Sequence, residues 1–176
     1  MKLSDMFVTY IKNEAWERYD PVCRPVEAES KGTSENEPNL FETDVFNYLY
    51  RNKNELGIEK VYALQYMLVD GLLQLNDGRT VILEIKHALN WFTNCSARVE
   101  IARFLVEKRL TPFKQPERAL IIFEHFSPPW KRKTRGWSYF YEEESVLRNK
   151  FPPIPVDIAQ LTEAGLKGAP QLGLAI

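Results

Sequence analysis

The sequence predicts an α/β domain with a mixed sheet flanked by helices, and three observations predict it. Two apolar runs, 61–75 and 79–86, are separated by the turn residues Asn76, Asp77 and Gly78 and read as a hairpin. Apolar residues at helical spacing precede that hairpin, and a second helical segment follows it. A short apolar run, RALIIFEHF at 118–126, then supplies one more buried strand. Helix, helix, strand, strand, helix, strand is the order of helices laid on a sheet, not of a bundle or a sandwich.

The elements follow in chain order. Residues 4–19 start at Ser4, a suitable N-cap, and place Phe7, Ile11 and Ala15 near helical spacing. Residues 20–39 contain three prolines and a glycine among polar residues and are expected to form a mobile loop. A second helix is expected over 40–54, with Phe41, Val45, Tyr48 and Leu49 as its apolar stripe. After the hairpin, a helix is expected from Cys95 or Ser96 to Lys108, stopped by Thr111 and Pro112. Beyond 126, residues 137–143 suit a strand and 143–150 a short helix. The division expected is a single domain over 1–150, with its core at about 40–126, and a Pro- and Gly-containing tail over 151–176.

Composition narrows the function classes. The chain has 176 residues, 44% hydrophobic and 27% charged, enough for one domain with a sizeable core. A net charge of -1 excludes a uniformly basic nucleic-acid coat, so any polyanion would need a local patch. The densest such patch is Lys131, Arg132, Lys133 and Arg135, set between Trp130 and Trp137. Cations there would contact phosphates and the indoles would stack on bases, or the tryptophans would simply anchor a surface loop. Cys23 and Cys95 form no CxxC or pairing pattern, which points to a reduced, cytoplasmic setting. No apolar stretch reaches membrane-spanning length, and the amino-terminal segment lacks the apolar core of a signal peptide. His87 and His125 show no metal-ligand spacing and are expected to be structural.

The hairpin carries the chemistry. Side chains alternate along a strand, so Glu84 and Lys86 share one face and Ile85 the other. A three-residue loop, Asn76–Gly78, would set Leu75 against Arg79 and Asp70 against Glu84. A two-residue loop would oppose Asp70 to Ile85 instead, and a bulge at Gly71 would change the count again. Directly opposed Cβ atoms lie roughly 4.5–5.5 Å apart, where like charges destabilise a sheet. A divalent cation would reverse that penalty, because hard carboxylate oxygens suit Mg²⁺. Lys86, on the same face, could then serve the attacking water and offset developing phosphorane charge. Set against this, Asp70 could merely end a strand, and Glu84 and Lys86 could be the polar face of an edge strand.

An acid before glycine and, fourteen positions on, Glu84-Ile85-Lys86 ahead of a helix resemble the PD-(D/E)xK nuclease superfamily. Asp70 matches the acid of its first motif, with Val69 in place of proline, and Glu84 and Lys86 match the second. The resemblance implies a restriction-endonuclease-like core of helix, three-stranded antiparallel meander, helix and strand. It also implies a nuclease that uses Mg²⁺, with Mn²⁺ able to substitute. Asp70, Glu84 and the Ile85 carbonyl would hold the metal, and Lys86 would serve the water. Many members carry a further glutamate on the preceding helix. Glu42 is the candidate here, the alternative being a first-turn acid that complements the helix dipole. Arg98 is the candidate on the following helix for contact with the nucleic-acid backbone. Nucleic acid, foremost DNA, is the implied partner, and a homodimer is left open. Competing readings are a non-catalytic nucleic-acid-binding or scaffolding domain of the same fold, a structure-specific or RNA-directed nuclease, and an unrelated interaction domain.

Overall fold

The computed structural model describes residues 22–31, 37–65, 68–107, 115–127 and 152–168. The helix expected over 4–19, the strand and helix expected over 137–150, and the basic cluster 131–135 lie outside these residues. The elements are β1 (Val22–Pro25), α1 (Glu37–Arg51), β2 (Ile58–Gln65), β3 (Gly71–Leu75) and β4 (Thr80–Leu89). They are followed by α2 (Trp91–Glu107), β5 (Arg118–Phe126), β6 (Val156–Thr162) and β7 (Gly165–Lys167). The strands make one mixed seven-stranded sheet in the order β1-β2-β3-β4-β5-β6-β7. β1 to β4 are antiparallel neighbours, β4, β5 and β6 are parallel, and β7 returns antiparallel. The β4–β5 step needs a crossover because parallel neighbours cannot be joined by a tight turn, and α2 supplies it.

Each described helix covers one face. Phe41, Val45, Phe46 and Leu49 of α1 pack on Val61, Leu73, Val81, Leu83, Ile85, Leu120 and Ile122. Ala97, Ile101 and Phe104 of α2 pack on Leu72, Ile82, Ala119, Ile121 and Phe123. Both faces of the central strands are therefore buried, and residues 80–85 of β4 read as a continuous apolar run interrupted only by Thr80 and Glu84. Alternation survives in which helix these residues meet: Val81, Leu83 and Ile85 of β4 join the α1 cluster and Ile82 the α2 cluster, as does Leu89 at the strand's end.

Four expectations are corrected. The expected loop 20–39 contributes edge strand β1, and its next residues are tied to α1. Asn47 bonds the Ser30 backbone in both directions at 2.8 Å, and Arg51 pairs with Glu29 at 2.8 Å. The run 61–75 is two strands, not one, because the chain turns between Gln65 and Gly71. α2 starts at Trp91 rather than Cys95: Asn90 and Thr93 cap it reciprocally, each side chain accepting the other's backbone N–H at 2.9–3.0 Å. The segment from 151, expected as a loose tail, adds β6 and β7 to the open edge of β5, where Asp157 pairs with Arg118 at 3.0 Å. The expected strand 118–126 is found at those bounds.

Gly71 positions the start of β3. A Cβ there would lie 2.6 Å from the Tyr62 carbonyl oxygen and 3.1 Å from the Phe46 ring, both fixed by packing. Gly71→Ala is expected to destabilise the chain by about 1–3 kcal/mol, seen as a lower urea midpoint at unchanged slope. An unchanged midpoint would mean that β2 and β3 separate at no cost.

Candidate active site

The turn decides the site's geometry. Gly78 adopts φ 81°, the Leu75 N–H donates to the Arg79 carbonyl at 2.9 Å, and the loop is the three residues Asn76–Gly78. The pairs Gly71–Leu83, Leu72–Ile82, Leu73–Val81 and Gln74–Thr80 continue that register without a bulge. Of the registers open from sequence, this is the three-residue-loop one, and Asp70 lies one residue beyond the last pair, Gly71–Leu83. Asp70 sits just before β3, its N–H donating to the Leu83 carbonyl at 3.2 Å and its carbonyl accepting from Leu64 at 2.9 Å. Its carboxylate oxygen Oδ2 accepts from the Ile85 N–H at 2.6 Å. A strand residue's N–H and C=O leave on the same side, so the Ile85 carbonyl also turns towards Asp70.

Glu84 is 2% exposed, on the α2 face of β4. Its Oε1 lies 2.5 Å from Lys86 Nζ, while Oε2 is buried with no hydrogen-bond partner among the described residues. Lys86 Nζ also donates to Glu100 Oε2 at 3.1 Å, and Ser96 donates to the other oxygen of Glu100 at 3.4 Å. Lys86 thus bridges a buried acid on β4 and a half-buried acid on α2.

The charges are costly where they stand. Burial pushes the Asp70 carboxyl up to about 7; the Ile85 N–H and Lys86 oppose this, and the charges of Glu42 and Glu100 add to it. Burial and then the Asp70 charge hold Glu84 well above the ordinary carboxylate range. Burial works against the Lys86 ammonium, but Glu84 and Glu100 outweigh it and push its pKa up. Lys86 is therefore a firmly held cation and not a free base. Glu42 is raised by burial, and its charge is felt at Asp70. Because α1 begins at Glu37, Glu42 lies beyond the first turn, so the helix-dipole alternative does not explain it.

Asp70, Glu84, Lys86 and Glu42 thus share one neighbourhood. Arg98 donates to Asn94 on its own helix, and Glu100 is the residue of α2 that reaches Lys86. Glu100 was not anticipated. Its signal was the polar row Ser96, Glu100 and Arg103 at helical spacing beside the apolar row Ala97, Ile101 and Phe104. Three carboxylates do not close to chelating distance here. Among the described residues, the group of three whose ligand atoms all lie within 4.8 Å is His87, Glu124 and His125. Also among those residues, no helix is long and apolar enough to cross a membrane, and Cys23 and Cys95 form no disulfide. Compared with protein-family models, curated proteins and solved structures, the chain finds no match.

A carboxyl with a raised folded-state pKa binds its proton more tightly folded than unfolded. Its contribution is full below the ordinary pKa and is lost as pH rises through the folded value. For Asp70 that window runs from 3.8 to about 7. The metal-free chain is expected to lose stability as pH rises through it, and Asp70→Asn to flatten the fall, measured by urea midpoints across the range. Equal slopes in both proteins would show that burial does not burden this carboxyl.

Proposed function

We propose that the chain is a metal-dependent nuclease that hydrolyses phosphodiester bonds in DNA, using Asp70, Glu84 and Lys86. One observation carries the reading: a fully buried carboxylate, Glu84, has an oxygen with no partner among the described residues, beside a second acid and a lysine. A buried polar oxygen left without a hydrogen bond costs about 1–3 kcal/mol, which a ligand bound there would relieve. The element order α1, β2, β3, β4, α2, β5 supports the restriction-endonuclease-like assignment, being helix, antiparallel meander, helix and strand.

The donor set fits a hard cation. Asp70, Glu84 and the Ile85 carbonyl are all oxygen donors, and Mg²⁺ takes one or two carboxylates while keeping waters. Glu42 adds negative charge from α1. A bound Mg²⁺ or Mn²⁺ supplies Lewis acidity towards a phosphoryl oxygen and towards water. The remaining work falls to the chain's own groups. Asp70 loses its proton before it serves as a ligand. Lys86, kept charged and gripped by Glu100, donates hydrogen bonds to the attacking water or a phosphate oxygen and offsets charge that develops in the transition state. Glu100 would hold that ammonium in place while Glu84 serves as a ligand.

Cleavage of plasmid and single-stranded DNA in Mg²⁺ or Mn²⁺ tests this. Lys86→Ala is expected to lower the rate about 100- to 1,000-fold, with Asp70→Asn and Glu84→Gln at least as damaging. Cleavage that persists without metal and equally in Lys86→Ala, or none by the wild type on any nucleic acid, would overturn the proposal.

A further inference from the structure

The carboxyl ends of β4 and β5 hold a second constellation. The two strands are parallel and pair Lys86 with Phe123 and Ala88 with His125, which brings His87 alongside Glu124. His87 is an odd residue of β4 and lies on the α1 face, with the Phe41 ring 6.3 Å away. His87 Nε2 is 2.8 Å from Glu124 Oε2, and His125 Nδ1 is 3.5 Å from that same oxygen. The two imidazoles meet edge-on with centroids 4.8 Å apart. This corrects the expectation that His125 has no histidine partner. All three side chains line a cavity of about 500 Å³ together with Leu40, Phe41 and Asp44.

We propose that His87, Glu124 and His125 bind a transition-metal ion of the Zn²⁺ class, on the face of the sheet opposite Lys86. Two imidazole nitrogens with one carboxylate suit Zn²⁺ and its neighbours, whereas Mg²⁺ prefers oxygen donors alone. Tetrahedral bonds of about 2.0–2.1 Å set ligand atoms about 3.3 Å apart. The spacings of 2.8 and 3.5 Å stand on either side of that figure, and all three ligand atoms lie within 4.8 Å of one another. His125 and Glu124 are 50% and 46% exposed, where holding two side chains in one geometry gains little from charge alone. Two adjacent strands fix the ligands, and the cavity leaves room for a fourth, from Asp44 or from outside. Three protein ligands with an open position mark zinc sites that act on a substrate rather than closed structural ones.

Calorimetric titration of Zn²⁺ into the full chain, in millimolar Mg²⁺ to keep the carboxylate site engaged, tests the proposal. The expected result is one Zn²⁺ per chain, weakened at least about 100-fold in His87→Gln and in His125→Gln and unchanged in Asp70→Asn. Far-UV circular dichroism checks that each variant is folded, and the exposed His125 keeps the test open should His87→Gln unfold. No Zn²⁺ binding by the wild type, undiminished binding in both histidine variants, or loss of binding in folded Asp70→Asn would overturn it.

Discussion

A three-residue turn determines where every charge of the carboxylate site falls. With Asn76–Gly78 as the loop, Gly71 pairs with Leu83 and Asp70 arrives beside Ile85 and Glu84. That register is held by Leu72, Leu73, Ile82 and Leu83, all completely buried. Each is worth about 1.5–3 kcal/mol of burial, together more than the repulsion between two facing carboxylates. A slip of one residue would cost both cores at once, because each face of the hairpin packs against a helix. The like-charge pair is therefore imposed by apolar packing around it.

The two faces of β4 carry different sets of side chains. Even positions of β4 send Glu84 and Lys86 towards α2, where Glu100 waits; the odd position His87 turns towards α1 and Phe41. Oxygen donors and an ammonium gather on one side, and nitrogen donors with a single carboxylate on the other. Aliphatic residues fill much of the space between them, while the Glu42 charge from α1 is still felt at Asp70. Glu84 is left with Lys86 as its counter-ion and one oxygen unsatisfied among the described residues.

Much of this was legible in the sequence where local rules suffice. The turn residues and the two apolar runs specified the hairpin, and period-two alternation put Glu84 and Lys86 together. What escaped depends on pairing between segments far apart in the chain. Nothing local to Val22–Pro25 or Val156–Thr162 says that it completes a sheet; proline and polar content spoke for loops, while open edges on β2 and β5 took them in as strands. The Asn90–Thr93 cap was readable but was passed over for Cys95 as the helix start. His87 and His125 lie 38 positions apart with no ligand spacing, and only the parallel register of β4 and β5 brings them to one place. Glu100 meets Lys86 only because α2 packs back over β4.

The claim on which the account rests is that Asp70 and Glu84 together hold a cation. Titration of Mn²⁺ into the chain across the neutral pH range, with proton release followed alongside, tests it most directly. Burial raises the pKa of both carboxyls, so binding should release protons, tighten as pH rises, and be lost in Glu84→Gln. Binding that ignores pH, or that survives unchanged in Glu84→Gln, would contradict the account.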